Sequence, residues 1–233
     1  MSDADRLKRM AAERAVEYVE DGMVLGLGTG STARHVLEVL AERVRAGALR
    51  DIVGVPTSRE TGRIARQLGL ELTDLESEPR LDLTIDGADE VTSGLQLVKG
   101  LGGALLWEKI VATASDRLII VVDESKLVDR LGTKAPLPVE VVPFGWTTHL
   151  AYLDLLGAKT TLRRDPEGNP FVTDGGHYLL DCRFDEGILE PERLERELRQ
   201  RVGIVETGLF LGLADAVVVG AEGGARVMTA PER

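Results

Sequence analysis

The chain has 233 residues, 43% of them hydrophobic and 29% charged, a balance that sustains a folded core and excludes wholesale disorder. Its 39 acidic residues against 28 basic ones leave a net charge of −11, which argues against nucleic-acid and anionic-membrane partners, and no apolar run reaches the ~18 residues that span a bilayer. The polar start Met1-Ser2-Asp3-Ala4-Asp5-Arg6 lacks the apolar stretch of a signal peptide, and the single Cys182 cannot form an internal disulfide, so a reducing, cytoplasmic location is expected.

Residues 4–20 read as a helix closed by Gly22, followed by a strand at 23–27 and a helix over 31–45. A strand at 52–55, a helix around 60–68 and a strand at 81–85 come next. Past a glycine-rich segment lie a helix over 104–114 and a strand at 118–122. Short apolar strands alternating with helices predict a parallel sheet covered on both faces. After about residue 131 the pattern changes. A strand at 138–142, a helix at 145–156, strands at 158–162, 171–173 and 177–184, a helix at 191–201 and a strand at 203–206 read as βαββαβ, a ferredoxin-like unit. The apolar run 214–219 is of the buried, parallel kind again. The expected fold class is therefore α/β: a Rossmann-like, mostly parallel sheet domain of residues 1–130 and 208–233, interrupted by a smaller ferredoxin-like unit of residues 131–207.

Ligands of open α/β sheets bind outside the carboxyl ends of the strands, so the residues just after each strand are informative. Gly28-Thr29-Gly30-Ser31-Thr32 comes after the first, Pro56-Thr57-Ser58 after the second, and Asp86-Gly87-Ala88-Asp89-Glu90 after the third. Asp123-Glu124-Ser125-Lys126 and Glu222-Gly223-Gly224 come after the later two. The spacing Gly28-x-Gly30-x-x-Ala33 meets the loose dinucleotide pattern, but no ribose-binding acid ends the second strand. A glycine and hydroxyl loop opening a helix instead suits a single phosphate or a sugar hydroxyl, the alternative being a plain tight turn with a Ser/Thr cap.

Asp86, Asp89 and Glu90 put three carboxylates within five residues, and crowding at a cleft raises the pKa of at least one of them. An Asp-Gly turn followed by a solvated acidic pair is the competing reading. Lys99-Gly100-Leu101-Gly102-Gly103 precedes the helix that carries Glu108, and such glycines can aim N–H groups at an oxyanion. Around Glu108 the helical neighbours Ala104, Leu105, Val111 and Ala112 are all apolar, which places the carboxylate on the core face and raises its pKa, as a general base needs. Lys109 points roughly 100° away. His35, His149 and His177 are dispersed, so no metal site is predicted; Cys182 reads as a packing residue, and Trp107 and Trp146 as core or interface residues.

Together these segments resemble the type A ribose-5-phosphate isomerase family. The likeness runs through Gly28-Thr29-Gly30-Ser31-Thr32, Thr84-Ile85-Asp86-Gly87-Ala88-Asp89-Glu90, Lys99-Gly100-Leu101-Gly102-Gly103-Ala104-Leu105, Glu108-Lys109-Ile110, Asp123-Glu124-Ser125-Lys126 and Pro136-Leu137-Pro138-Val139-Glu140-Val141-Val142-Pro143. The resemblance implies isomerisation between ribose 5-phosphate and ribulose 5-phosphate through a cis-enediolate, in the pentose phosphate pathway, with no cofactor and no metal. Glu108 would be the base that moves a proton between C1 and C2. Asp86 would assist ring opening and proton exchange between the sugar oxygens, with Gly87, Ala88 and Asp89 lining the sugar and Asp89 holding hydroxyls. Lys99 and the N–H groups of Gly100, Leu101 and Gly102 would stabilise the enediolate oxygen. Thr29, Gly30, Ser31 and Thr32, with Lys8 and Lys126, would form the substrate and phosphate site. A homodimer or homotetramer is implied as well. The chain departs from the family at Leu101, where many members have glycine, and at Trp107, often basic elsewhere. Two other readings use the same groups: a deaminase of amino-sugar phosphates, and a sugar-phosphate sensor without turnover.

Overall fold

A computed structural model describes residues 3–229, and its elements follow the apolar periodicity of the chain. Helix α1 (Asp3–Val16), strand β1 (Val24–Leu27), helix α2 (Ser31–Arg45), β2 (Val53–Pro56), α3 (Arg59–Leu68) and β3 (Leu83–Asp86) alternate as expected. Two very short strands, β4 (Glu90–Val91) and β5 (Leu97–Val98), precede α4 (Leu105–Thr113) and β6 (Leu118–Asp123). Next come β7 (Leu137–Val141), a 3-10 turn Trp146–His149 that runs into α5 (Leu150–Leu155), β8 (Lys159–Leu162), β9 (Tyr178–Arg183), α6 (Pro191–Arg199) and β10 (Ile204–Thr207). The described chain closes with β11 (Leu209–Phe210), β12 (Ala216–Ala221) and β13 (Gly224–Thr229).

A six-stranded sheet has the order β13-β12-β6-β3-β1-β2 and is parallel except for β13. Strand β6 shows why both faces are covered. Ile119 and Val121 cluster with Ala11 and Ala15 of α1 and Val36 and Leu40 of α2, while Ile120 and Val122 cluster with Ala112 of α4 and with Phe210. Burial of side chains of this size contributes about 1.5–3 kcal/mol each, which makes two-sided strands read as unbroken apolar runs. In this parallel arrangement the carboxyl ends of β1, β3 and β6 lie side by side, Asp86 being level with Ile120.

The four-stranded sheet is antiparallel, in the order β10-β7-β9-β8. Strand β9 lies between β7 and β8, and α5 connects those two; this split βαβ is the ferredoxin-like topology. Its own core contains Leu137, Val139, Leu153, Leu180 and Leu198. A small third sheet, β11-β5-β4, ties the chain leaving this unit to the segment carrying Lys99.

The structure departs from the expected elements in five places. The first helix ends at Val16 rather than at 20, because Tyr18 and Val19 turn back through 3-10-type bonds to Ala15 and Val16. The helix predicted over 145–156 is split between a 3-10 turn and the six residues of α5. The segment 171–173 is not a strand: isolated bridges Arg164–Pro170 and Val172–Tyr178 hold it as an irregular hairpin. The antiparallel edge strand β13 and the small sheet were not anticipated.

Glu90 also differs from its expected role. It is fully buried in β4, and its carboxylate accepts the N–H groups of Gly132 (2.5 Å), Lys134 (2.5 Å) and Ala135 (2.7 Å), which fixes the chain where it crosses into the antiparallel unit. It is thus an anchor whose partners all lie at residues 132–135, apart from those of Asp86 and Asp89. Hydrogen bonds to a charged acceptor contribute about 1.5–3 kcal/mol each, and an amide offers only one acceptor oxygen where three donors converge. Glu90→Gln is expected to lower unfolding free energy by about 2–4 kcal/mol in urea titrations, with kcat of the folded protein unchanged. An unaltered denaturation midpoint would remove this anchoring role.

Candidate active site

Strand β3 delivers Asp86 to the carboxyl edge of the large sheet with 1% exposure. Its Oδ1 accepts the N–H groups of Thr29 (3.1 Å) and Gly87 (2.7 Å), and its Oδ2 lies 3.1 Å from Lys99 Nζ. The position of Asp86 requires a glycine at 28, since a Cβ there would lie 2.2 Å from Oδ1 and 2.6 Å from the Asp86 Cα. Burial pushes the Asp86 carboxyl above its ordinary range, against the pull of Lys99 and of the two amides.

Lys99 is 2% exposed and spreads its ammonium over three acceptors: the Gly87 carbonyl at 2.5 Å, Asp86 at 3.1 Å and Glu108 Oε2 at 3.3 Å. Burial opposes its charge, but Asp86, Glu108 and Asp89 outweigh that and hold Lys99 above its usual value. Glu108 enters from the first turn of α4 with 4% exposure, on the apolar face predicted for it. Burial pushes its carboxyl up to about 8, partly offset by Lys99 and reinforced by Asp86 and Asp89. The ion pair with Lys99 is the one contact that Glu108 Oε2 has among the described residues, and that oxygen is buried. Lys109 turns the other way, as expected, toward Glu206 (2.9 Å) and the Thr207 carbonyl (2.9 Å). The ring of Phe210 packs beneath both ammonium groups, 5.5 Å from Lys99 Nζ and 4.8 Å from Lys109 Nζ.

Above this buried triad lies the loop after Lys99. Gly100 adopts φ +103°, and a Cβ there would lie 2.8 Å from Leu105, so this bend requires glycine. Asp89, half-buried, accepts the Leu101 N–H at 2.9 Å, while among the described residues no partner takes the N–H of Gly100 or Gly102. Of the three loop amides expected to face an oxyanion, two are therefore open and one is committed.

A cleft of about 510 Å³ opens beside the loop, lined by Gly28, Thr29, Ser31, Gly102, Phe171 and Asp174 among others. Helix α2 begins here at Gly30 with no side-chain cap and no acidic residue in its first turn, so its leading N–H groups and positive end face the cleft. The neighbouring α3 contrasts with it: Ser58 caps that helix through the Thr61 N–H at 3.0 Å. Lys8 of α1 reaches across to donate to Ser31 Oγ at 3.0 Å, and Thr32 is half-buried in the same turn. Thr29 lines the cleft, but its hydroxyl turns inward to Thr57 (2.7 Å), Ser58 (2.9 Å) and Thr61 (3.0 Å). Each proton of this hydroxyl cluster has an internal acceptor, ending on the carbonyls of Leu27 and Gly28, so Thr29 holds the loop rather than offering a free O–H. Lys126 ends a 3-10 turn after β6, half-buried, and no hydrogen bond or ion pair ties it to the other groups.

Sequence reasoning missed the cleft wall supplied by the antiparallel unit. Phe171 fills the space over Gly103, and Asp174 Oδ2 accepts the Arg59 N–H at 2.8 Å, fastening the irregular hairpin to the start of α3. No local motif marks these residues; only the tertiary fold brings them in. Another cavity, about 420 Å³ between Leu156, Phe184 and Leu194, contains none of the sheet-edge groups, whereas Gly28, Thr29 and Gly30 line the first. Among the described residues no group of three or more His, Cys, Asp or Glu is placed to hold a metal ion.

Comparison with known proteins gives a consistent result. The family model for ribose 5-phosphate isomerase A (phosphoriboisomerase A) matches residues 53–224. A ribose-5-phosphate isomerase A from Gloeobacter violaceus is 59% identical over 228 residues, 97% of both chains, and one from a Synechococcus species is 52% identical over 96% of this chain and 97% of that protein. Among solved structures, a D-ribose-5-phosphate isomerase in complex with phospho-erythronic acid superposes with a TM-score of 0.95 at 38% identity, covering 98% of this chain and all of the other. The ribose 5-phosphate isomerase from Plasmodium falciparum gives 0.94 at 37% identity, with 98% and 100% coverage.

Proposed function

The chain belongs to the ribose 5-phosphate isomerase A family, and we propose that Glu108 is the base of its reaction. That reaction is the interconversion of D-ribose 5-phosphate and D-ribulose 5-phosphate, an aldose–ketose isomerisation. In the forward direction Glu108 takes the proton from C2 of the open-chain aldose. The C2–H electron pair becomes the C1–C2 double bond, and the carbonyl pair moves onto O1, giving a cis-enediolate. Glu108 then returns its proton to C1 while the proton on O2 passes to O1. A carboxyl pushed up to about 8 suits this role, because it is basic enough to take the proton and acidic enough to return it near neutral pH. Asp86, which burial biases toward its protonated form, is suited to open the sugar ring and to carry the proton between O1 and O2. Lys99 and the open N–H groups of Gly100 and Gly102 face the developing oxyanion.

The observation that carries this reading is the placement of two carboxylates within 3.3 Å of one buried ammonium. The phospho-erythronic acid held by one solved relative fits it. A planar carboxylate at one end and a phosphate at the other resemble the enediolate in shape and charge. For the phosphate we assign the uncapped start of α2, with Gly30, Ser31, Thr32 and Lys8, and Lys126 approaching from the β6 side. We further assign residues 131–207 as an inserted unit within a main domain of 1–130 and 208–233. A cytoplasmic location, a place in the pentose phosphate pathway and a homodimer or homotetramer complete the proposal. Exposed Phe144, Leu155 and Val202 on the inserted unit are in keeping with assembly, and light scattering tests it.

The test is the initial rate of ribulose 5-phosphate formation in D2O, with solvent deuterium expected at C1 of the product. Absence of turnover on ribose 5-phosphate would reject the assignment. In the same assay Lys8→Ala is expected to raise KM about tenfold, the equivalent of about 1.4 kcal/mol of phosphate binding, with kcat within about twofold. A fall in kcat at constant KM would instead place Lys8 in the chemical step.

A further inference from the structure

Arg163, just past β8 in the antiparallel unit, contacts the oxyanion loop from behind. Its Nη1 donates to the carbonyls of both Gly100 (2.9 Å) and Leu101 (3.0 Å). The rest of the guanidinium is held by Asp181 of β9, through Nε at 2.9 Å and Nη2 at 2.5 Å. Its face also lies 6.0 Å from the ring of Phe171, the residue that covers Gly103.

In a trans peptide the carbonyl and the next residue's N–H point in opposite directions. With the Gly100 carbonyl drawn to Arg163, the Leu101 N–H must face away, and it meets Asp89. With the Leu101 carbonyl drawn to the same nitrogen, the Gly102 N–H must face away too, on the side of the cleft that Gly102 lines. One guanidinium nitrogen therefore sets two consecutive peptide planes. A loop of glycines has little conformational preference of its own, so this external fixation matters more here than it would beside bulkier residues. The fork shape of arginine, anchored at one edge by a carboxylate and donating from the other, is what the arrangement requires; a lysine cannot hold both ends at once.

We propose that Arg163 is a positioning residue for isomerisation: anchored on Asp181, it aims the Gly102 N–H, and through Leu101 the Asp89 carboxylate, at the reacting end of the sugar. This rests on the assignment of the loop as the oxyanion site. It gives the inserted unit a part in the chemistry without any of its own residues touching the reacting atoms.

Arg163→Met is expected to lower kcat by roughly 10- to 100-fold, somewhat less than outright removal of an oxyanion donor, with KM for ribose 5-phosphate within about threefold. The acid limb of kcat/KM, set by Glu108, keeps its midpoint. Arg163→Lys retains the charge beside Asp181 and is expected to recover only a small part of kcat. Asp181→Asn keeps one acceptor oxygen for the guanidinium, so Arg163 stays anchored and holds the carbonyls; it is expected to lower thermal stability while keeping kcat within about threefold. In Arg163→Gly, added methylguanidinium is expected to restore rate in a saturable way. Three results would overturn the proposal: kcat retained in folded Arg163→Met, full recovery in Arg163→Lys, or equal kcat losses in Arg163→Lys and Asp181→Asn. If Arg163→Met does not fold, the Lys and Asn variants decide alone. Turnover that survives Glu108→Gln would refute the site assignment itself, whereas loss there with kcat intact in Arg163→Met refutes only the role of Arg163.

Discussion

Glu108→Gln is expected to lower kcat by about 10³-fold or more while KM for ribose 5-phosphate stays within about threefold, the size of effect a lost general base produces. The substitution keeps volume and shape, and every group assigned to the phosphate lies elsewhere, on α1, the start of α2 and the turn after β6. The wild-type enzyme is expected to show an acid limb in kcat/KM with a midpoint near 8, because the base must be ionised and burial has pushed its carboxyl to about 8. Stability carries the opposite sign. Between its unfolded pKa of 4.5 and about 8, the folded protein retains a proton on Glu108 that the unfolded chain has released. The contribution of Glu108 to stability therefore declines as pH rises through that window and levels off above it. Glu108→Gln removes the decline, so the inactive variant is expected to be more stable than wild type at pH 8, by up to a few kcal/mol, with the difference vanishing near pH 4.5. Urea titrations at the two pH values check this. Equal midpoints at pH 8, or substantial residual turnover, would remove Glu108 from the role of buried base.

The three buried groups proposed for the chemistry were legible in the sequence for identifiable physical reasons. Asp86 ends an apolar strand, Lys99 opens a glycine-rich turn, and Glu108 interrupts the apolar face of a helix; each is a polar residue where burial predicts an apolar one. Strand β6 was legible as an unbroken apolar run, and strands β7 to β10 as short apolar segments set off by turns and helices. The two-residue strands β4, β5 and β11 are too short for any period, and β13 is an edge strand of mixed polarity. Glu90 lies within five residues of Asp86 and Asp89, so local sequence places it with them. Its three partners at residues 132–135 lie more than forty positions away, and only the fold separates it from the site. The inward turn of the Thr29 hydroxyl and the reach of Arg163 have the same cause: each is a long-range contact with no local signature.

Lys99→Met is expected to have the second large effect, and pH separates its two causes. Removing the ammonium leaves Asp86 and Glu108 buried side by side with no cation between them. Lys99 was lowering both carboxyls, so both rise further, and the acid limb of kcat/KM moves above its wild-type midpoint. Part of the rate loss should therefore be recovered at high pH. The remainder, from the missing oxyanion donor, should persist at about 10²-fold or more at any pH. Stability follows the protons. At acid pH, where neutral carboxyls need no counter-ion, methionine fills the space over the Phe210 ring, and the cost is expected to be small. By pH 9 ionisation is forced on an unpaired buried pair, and the variant is expected to be about 3–5 kcal/mol less stable than wild type. A Lys99→Met enzyme with an unmoved acid limb would show that Lys99 does not govern the ionisation of Glu108. A variant equally destabilised at both pH values would show that the loss is one of packing. The expected pattern, a displaced limb together with a pH-dependent stability deficit, arises only if one buried ammonium keeps two carboxylates poised for proton transfer.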